Sequence, residues 1–301
     1  MAKDDVKGRI RSALDGMRVV DNHEHLVEPF LPKKDHEVDL PYFFANAYLF
    51  GDLVAAGMPE KALDVDKFAY LKTGEDRAAE IWTQLKPFLE RVRNTIYYRF
   101  LLIALRDLYG FEGADVDDGN WLALSKRIRE MSGDRLKLSL GILDRMKVHR
   151  MILDISELSR VNVKIIEDAR LRQVVRVDDF IVGNKEVAKG FLETGIRTLD
   201  QHLEALDGAF ENAAKQGAVG IKSGLAYERS LLYEKASKSD AERIFALGLE
   251  KASNPERKLF QDFMMHEVCE RCSEHKLPFQ IHTGLQAGNY NAIANANPTH
   301  L

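Results

Sequence analysis

The chain is poor in cysteine: 301 residues contain two, three positions apart, so no disulfide framework can exist and a reducing cytoplasm fits best. It also lacks any uninterrupted apolar run of the roughly 18 residues a membrane span requires. The N-terminus, Met1-Ala-Lys-Asp-Asp-Val-Lys-Gly-Arg-Ile, has no apolar core of a signal peptide. Charge of one sign is missing too. The formal net charge is −4 with acids and bases mixed along the chain, so no basic stripe recommends nucleic acid and no acidic tail suggests a solvating segment. There is no internal repeat and no low-complexity tract. What remains is the composition of an ordinary globular enzyme, 45% hydrophobic and 30% charged, with a small-molecule substrate as the expected partner and a homo-oligomer left open.

Short apolar runs alternate with helix-period segments, which argues for parallel α/β architecture. The first strand is expected over Arg18-Val-Val-Asp-Asn-His23. Others are expected at Met151–Ile155, Val174–Asp178, Ala218–Lys222 and Pro278–His282. Helices between them carry start and stop signals: Thr198 with Gln201 and Ser239 with Glu242 as capping boxes, and Asn254-Pro255 opening a helix that runs to about His275. Residues from about 40 to 148 read differently. They hold helix-period stretches such as Ile96–Tyr109, stopped by Gly110, and no strand pattern. A helical insertion after the first strand, placed to cover a barrel mouth, is the simplest account.

The chemistry concentrates at strand ends. His23-Glu24-His25 places two imidazoles at i and i+2, on one face of a strand, and Asp21 shares their parity and is placed to orient a ligand. Two surface histidines fall at this spacing by chance often enough, but here the pair closes a β-branched strand. His282 ends another strand, where it reads either as a buried histidine satisfied by neighbouring backbone groups or as a further ligand, since ligands at the C-terminal ends of parallel strands converge on one mouth. His23, His25 and His282 are therefore expected to hold a divalent ion, zinc or alternatively manganese. Lys222, at a further strand end, reads as a metal-bridging carbamate, a cationic substrate anchor or an ordinary ion-pair partner. Tyr227 and Arg229 follow on a strand-to-helix loop, where they either bind an anionic substrate, the arginine by a bidentate fork, or are merely solvated. One apparent motif is rejected: His266, Cys269, Cys272 and His275 fall within one predicted helix, where side chains three apart fan round the surface and cannot close on one ion.

Val20-Asp-Asn-His-Glu-His25 and Gln280-Ile-His-Thr-Gly284 resemble the amidohydrolase superfamily, in its second-type branch with the uronate isomerases, small aromatic-acid decarboxylases and the amidohydrolase-like domain of glutamine-synthetase fusion proteins. Gly220–Arg229 looks most like the fused-domain group, and the helical segment after the first strand resembles the insertion of uronate isomerases. The resemblance covers residue 15 onward and implies a distorted (β/α)8 TIM-type barrel with one or two divalent ions. It assigns two further metal-binding positions, a histidine near the sixth strand and an aspartate after the eighth, that have no counterpart here. The expectation is a single barrel domain over residues 1–301, C-terminally incomplete after its fifth strand by about 90 residues. The expected activity is a metal-dependent hydrolase of a small, polar, carboxylate-bearing molecule, with metal-activated water as nucleophile, Lys222 and Asp21 in catalytic roles, and Tyr227 and Arg229 binding substrate. The alternatives are a uronate-isomerase-like aldose–ketose interconversion, a decarboxylation, and a non-catalytic barrel module fused to a partner.

Overall fold

The computed structural model describes residues 5–25, 38–44, 47–62, 75–155, 168–288 and 290–301. Five parallel strands form one sheet in sequence order: β1 (Val19–Glu24), β2 (Val148–Ile155), β3 (Leu171–Arg176), β4 (Gly220–Ser223) and β5 (Phe279–Ile281). All four strand pairs are parallel. The expected strand positions are all occupied, with ends shifted by a few residues. β2 and β3 each start three residues early, and β3 stops at Arg176 because Asp178 already opens the next helix. The sheet is curled: a side chain of β5, Gln280, donates to the backbone carbonyl of Asn22 in β1, at 2.9 Å. This is the curled, half-barrel arrangement of an α/β protein.

The chain divides into two compact units. The first comprises residues 1–32, 142–285 and 292–301 and contains the sheet. Its central strands are buried on both faces, as Val174, Val175 and Ile221 show, which is why they read as continuous apolar runs and not as alternating ones. Gly220 is needed where β4 meets the chain entering β5, because a Cβ there would lie 2.9 Å from the carbonyl oxygen of Pro278. Long helices return the chain between strands. The helix Leu199–Lys215 starts at Thr198 with a complete capping box to Gln201. The helix Asn254–Glu274 starts one residue before the position read from sequence, with Ser253 and Glu256 forming the box and Pro255 in the first turn. The expected Ser239–Glu242 box is not used. Ser237 caps the helix Lys238–Leu247 instead, accepting from the backbone N–H of Asp240.

The second unit comprises residues 33–141 and 286–291. Its described elements are all helical, the longest being Glu75–Val92 and Ile96–Tyr109. The second of these ends as the sequence indicates, with Gly110 in the left-handed conformation at φ 62°. Its core is aromatic and aliphatic, built on Phe44, Leu53, Ile81, Leu85, Tyr98 and Leu105. Trp82 and Trp121 stack at 5.3 Å between ring centroids, and the Trp82 indole N–H donates to Asp118 at 2.7 Å. Among the described residues, no helix is long and apolar enough to cross a membrane.

One core residue makes acid sensitivity predictable. His202 is wholly buried in the first unit, facing Phe180, Phe245 and Phe260; its Nε2 bonds the Phe180 carbonyl, whereas Nδ1 has no partner. Burial pushes its pKa below the ordinary value near 6.5, with the Phe180 carbonyl opposing the shift and the Lys185 ammonium adding to it. A depressed histidine contributes stability that is complete above the unfolded pKa and is lost as pH falls toward the folded one, by up to about 1.4 kcal/mol per pH unit. We expect the melting temperature to fall further between pH 7.5 and 5.5 in the wild-type chain than in His202→Gln, which keeps a donor but does not titrate. Equal falls would show that His202 does not set the acid limit.

Candidate metal centre

The side chains singled out in the sequence lie at the C-terminal ends of the strands, where parallel barrels carry their chemistry. Near the end of β1, a register irregularity between Asp21 and Glu24 interrupts its pairing with β2. His23 and His25 emerge beside it with their rings edge to face, 4.7 Å between centroids. Asp154, near the end of β2, completes the group. Ligand atoms of His23, His25 and Asp154 all lie within 4.8 Å of one another. The Asp154 carboxylate is fully buried and sits 3.8 Å from Nδ1 of half-exposed His25.

Asp154 is missing from the residues picked out by sequence. The available signal was one acid within the apolar run Met151-Ile-Leu-Asp-Ile155, a residue type rarely buried without a partner. Its partner is Arg176, at the end of β3, whose guanidinium forks onto both carboxylate oxygens at 2.8 and 2.7 Å. Burial alone would raise the Asp154 carboxyl, but the hydrogen bonds and charge of Arg176, aided by His25 and Lys222, outweigh it and hold the group below the usual carboxylate range. Burial lowers the pKa of His25, favouring the neutral imidazole that a metal needs, although Asp154 opposes that shift.

The other expected residues fall into two groups. Lys222 is buried at the end of β4, with its Nζ 3.2 Å from His23 Nδ1; desolvation lowers its pKa, against the pull of Asp154. Asp21 accepts from the backbone N–H of His23 at 3.2 Å, so it shapes the strand end without touching an imidazole nitrogen in any described hydrogen bond. Burial lowers the pKa of His282, which lies close enough to Lys222 and His23 for their charges to lower it further. It follows β5 and lies outside the three-residue group; its Nε2 is bonded to the Leu285 carbonyl at 2.6 Å and its ring packs on Tyr227, 4.8 Å between centroids. Tyr227 therefore stands beside the strand ends, against His282. Arg229 does not offer its fork to an incoming anion. Nη2 donates to buried Asp262 at 2.6 Å and to the Leu232 carbonyl, and the remaining nitrogens bond Gln261 and the backbone carbonyls of Ser230 and Lys258. An arginine in a loop cannot be told from sequence to have a carboxylate waiting on a helix thirty residues later. Asp178 likewise turns inward: its Oδ2 accepts from the Gly224 N–H at 2.8 Å, and burial raises its pKa.

Two imidazoles and a carboxylate form a donor set suited to a borderline divalent ion, and three protein ligands leave a fourth position for water or substrate. Bonds of about 2.1 Å in a tetrahedral arrangement would put ligand atoms about 3.4 Å apart, so the side chains as found would close slightly on an ion.

No protein-family model and no curated protein matches the chain. Solved structures do. The chain is similar to the uronate isomerase of Thermotoga maritima (TM-score 0.68, 16% identity, covering 92% of this chain and 61% of that one). It is similar to the glucuronate isomerase of Caulobacter crescentus (0.71, 18%, 94% and 62%). A third is a Lactobacillus casei protein assigned to the metal-dependent hydrolases (0.55, 16%, 96% and 64%). The chain thus spans somewhat under two thirds of the length of the structures whose fold it shares.

Proposed function

We propose that this chain carries the metal-binding part of an amidohydrolase-type enzyme acting on a small hydroxylated carboxylate, and that its reaction is the aldose–ketose interconversion of a uronate. The observation that carries the reading is the meeting of His23, His25 and Asp154 at adjacent strand ends in a fold shared with uronate isomerases. A divalent ion held by those three residues would polarise a substrate carbonyl and stabilise negative charge on its oxygen. Zinc suits the donors, and manganese is the second choice.

The chain's own side chains supply the rest. Lys222, when protonated, brings positive charge to the strand ends, which favours an anionic substrate. Tyr227, more than a third exposed beside His282, offers a phenol to a substrate hydroxyl. Moving a proton between neighbouring carbons needs a group poised near neutral pH. Desolvation lowers Lys222 toward that range and raises Asp178 toward it. Lys222 is the better placed, with Nζ on the His23 ring.

Hydrolysis by metal-activated water is the second reading, favoured by the similarity to the Lactobacillus casei protein. The metal-loaded full-length protein that carries this chain, incubated in D2O with glucuronate and galacturonate and followed by proton NMR, is expected to form the ketose with deuterium at the exchanged carbon, and to stop when a chelator is added. Turnover of small amides without isomerisation would select the hydrolytic reading. Neither activity with metal bound would overturn both.

A further inference from the structure

Gln280 touches the candidate centre from the far side of the sheet. Its Oε1 lies 3.2 Å from Nδ1 of His23, and its Nε2 donates to the Asn22 carbonyl at 2.9 Å. A glutamine amide has one accepting end and one donating end. The Asn22 carbonyl can only accept, so the amide must present Nε2 to it. The oxygen is thereby turned toward His23. An amide oxygen also only accepts, so the proton between Oε1 and Nδ1 must sit on the imidazole. Its other nitrogen, Nε2, then carries the free lone pair.

Lys222 sets up the opposite demand. Its Nζ faces the same Nδ1 at 3.2 Å, and an ammonium, which only donates, needs a lone pair there. One ring nitrogen cannot satisfy both. The amide orientation is fixed by its bond to the Asn22 carbonyl, whereas the ammonium has three N–H donors to redirect and feels the negative charge of Asp154. We propose that Gln280 is a positioning residue that fixes His23 as the Nδ1–H tautomer, leaving Nε2 free to ligate a metal and denying Nδ1 to Lys222. The inference rests on the metal-binding reading for its purpose but not for its test.

The competing role is a simple strut between β1 and β5, and two variants separate the roles. Gln280→Leu removes acceptor and strut together; Gln280→Glu keeps an acceptor for Nδ1–H but loses the donor to Asn22. In the metal-free chain labelled with 15N-histidine, long-range proton–nitrogen correlations should show His23, identified by its loss in His23→Asn, as the Nδ1–H tautomer. Gln280→Leu should shift it toward Nε2–H, and Gln280→Glu should not. In zinc titrations Gln280→Leu should bind about 10–100-fold more weakly, the usual cost of losing a partner behind a ligand, with Gln280→Glu close to wild type. An Nε2–H tautomer in the wild-type chain would overturn the proposal. So would Gln280→Leu with an unchanged tautomer, or Gln280→Glu losing as much affinity as Gln280→Leu. The predicted tautomers without any zinc binding would uphold the inference about Gln280 and sink the functional reading.

Discussion

Replacing His23 and His25 together by alanine is expected to weaken zinc binding by at least about hundredfold, since partners merely behind a ligand already cost about 10–100-fold. Asp154→Asn should do nearly the same, because it removes the one anionic donor of the set. The two changes should differ in stability. His25 is half-exposed, and its loss leaves no buried charge. Asp154→Asn leaves the Arg176 guanidinium, only 29% exposed, facing a neutral amide. The histidine variants should therefore melt close to wild type in the absence of metal, while Asp154→Asn melts lower. Calorimetric titration alongside thermal melts separates the two effects. Unchanged zinc affinity in the double histidine variant would mean the ion binds elsewhere.

The second large effect lies behind Tyr227. Asp262 is 1% exposed and receives Arg229, 11% exposed, and the less buried Lys258. Arg229 also lies 4.3 Å over the Tyr233 ring. The network ties the loop after β4 to the helix Asn254–Glu274, and so holds Tyr227 beside the strand ends. Asp262→Ala strands a buried guanidinium, which costs about 3–5 kcal/mol. Lys258 is only partly buried and keeps Glu234 as a partner, so its share of the loss is smaller. The double change Arg229→Met with Asp262→Leu should lose much less, because no charge is left uncompensated. Urea denaturation of the three proteins reads the difference. A single Asp262→Ala variant within about 1 kcal/mol of wild type would place the loop's anchorage elsewhere.

The parts of this molecule legible in its sequence are those governed by local rules. Gly110 ends its helix because only a left-handed residue completes that turn. Thr198 and Gln201 cap theirs by reciprocal bonds within four residues. His23 and His25 share a face because a strand alternates. The strand positions were readable because buried parallel strands are apolar throughout. What stayed hidden depends on the choice of partner, near or far. Asp154 owes its place to Arg176 on the next strand, and Arg229 is committed to Asp262. His282 has its Nε2 taken by the Leu285 carbonyl, three residues along a turn whose path its sequence does not specify. Ser237 displaced Ser239 as a cap because two serines two residues apart compete for one helix start, and local pattern does not rank them.

The account turns on which side chains surround the ion. Diffraction from crystals of the zinc-loaded chain, recorded at the zinc absorption edge, locates it without assuming an activity. The prediction is one strong anomalous peak per chain, bonded to His23 through Nε2, to His25 and to an oxygen of Asp154. A peak held by His282 while Asp154 remains on Arg176 alone, or no peak at the strand ends, would contradict it.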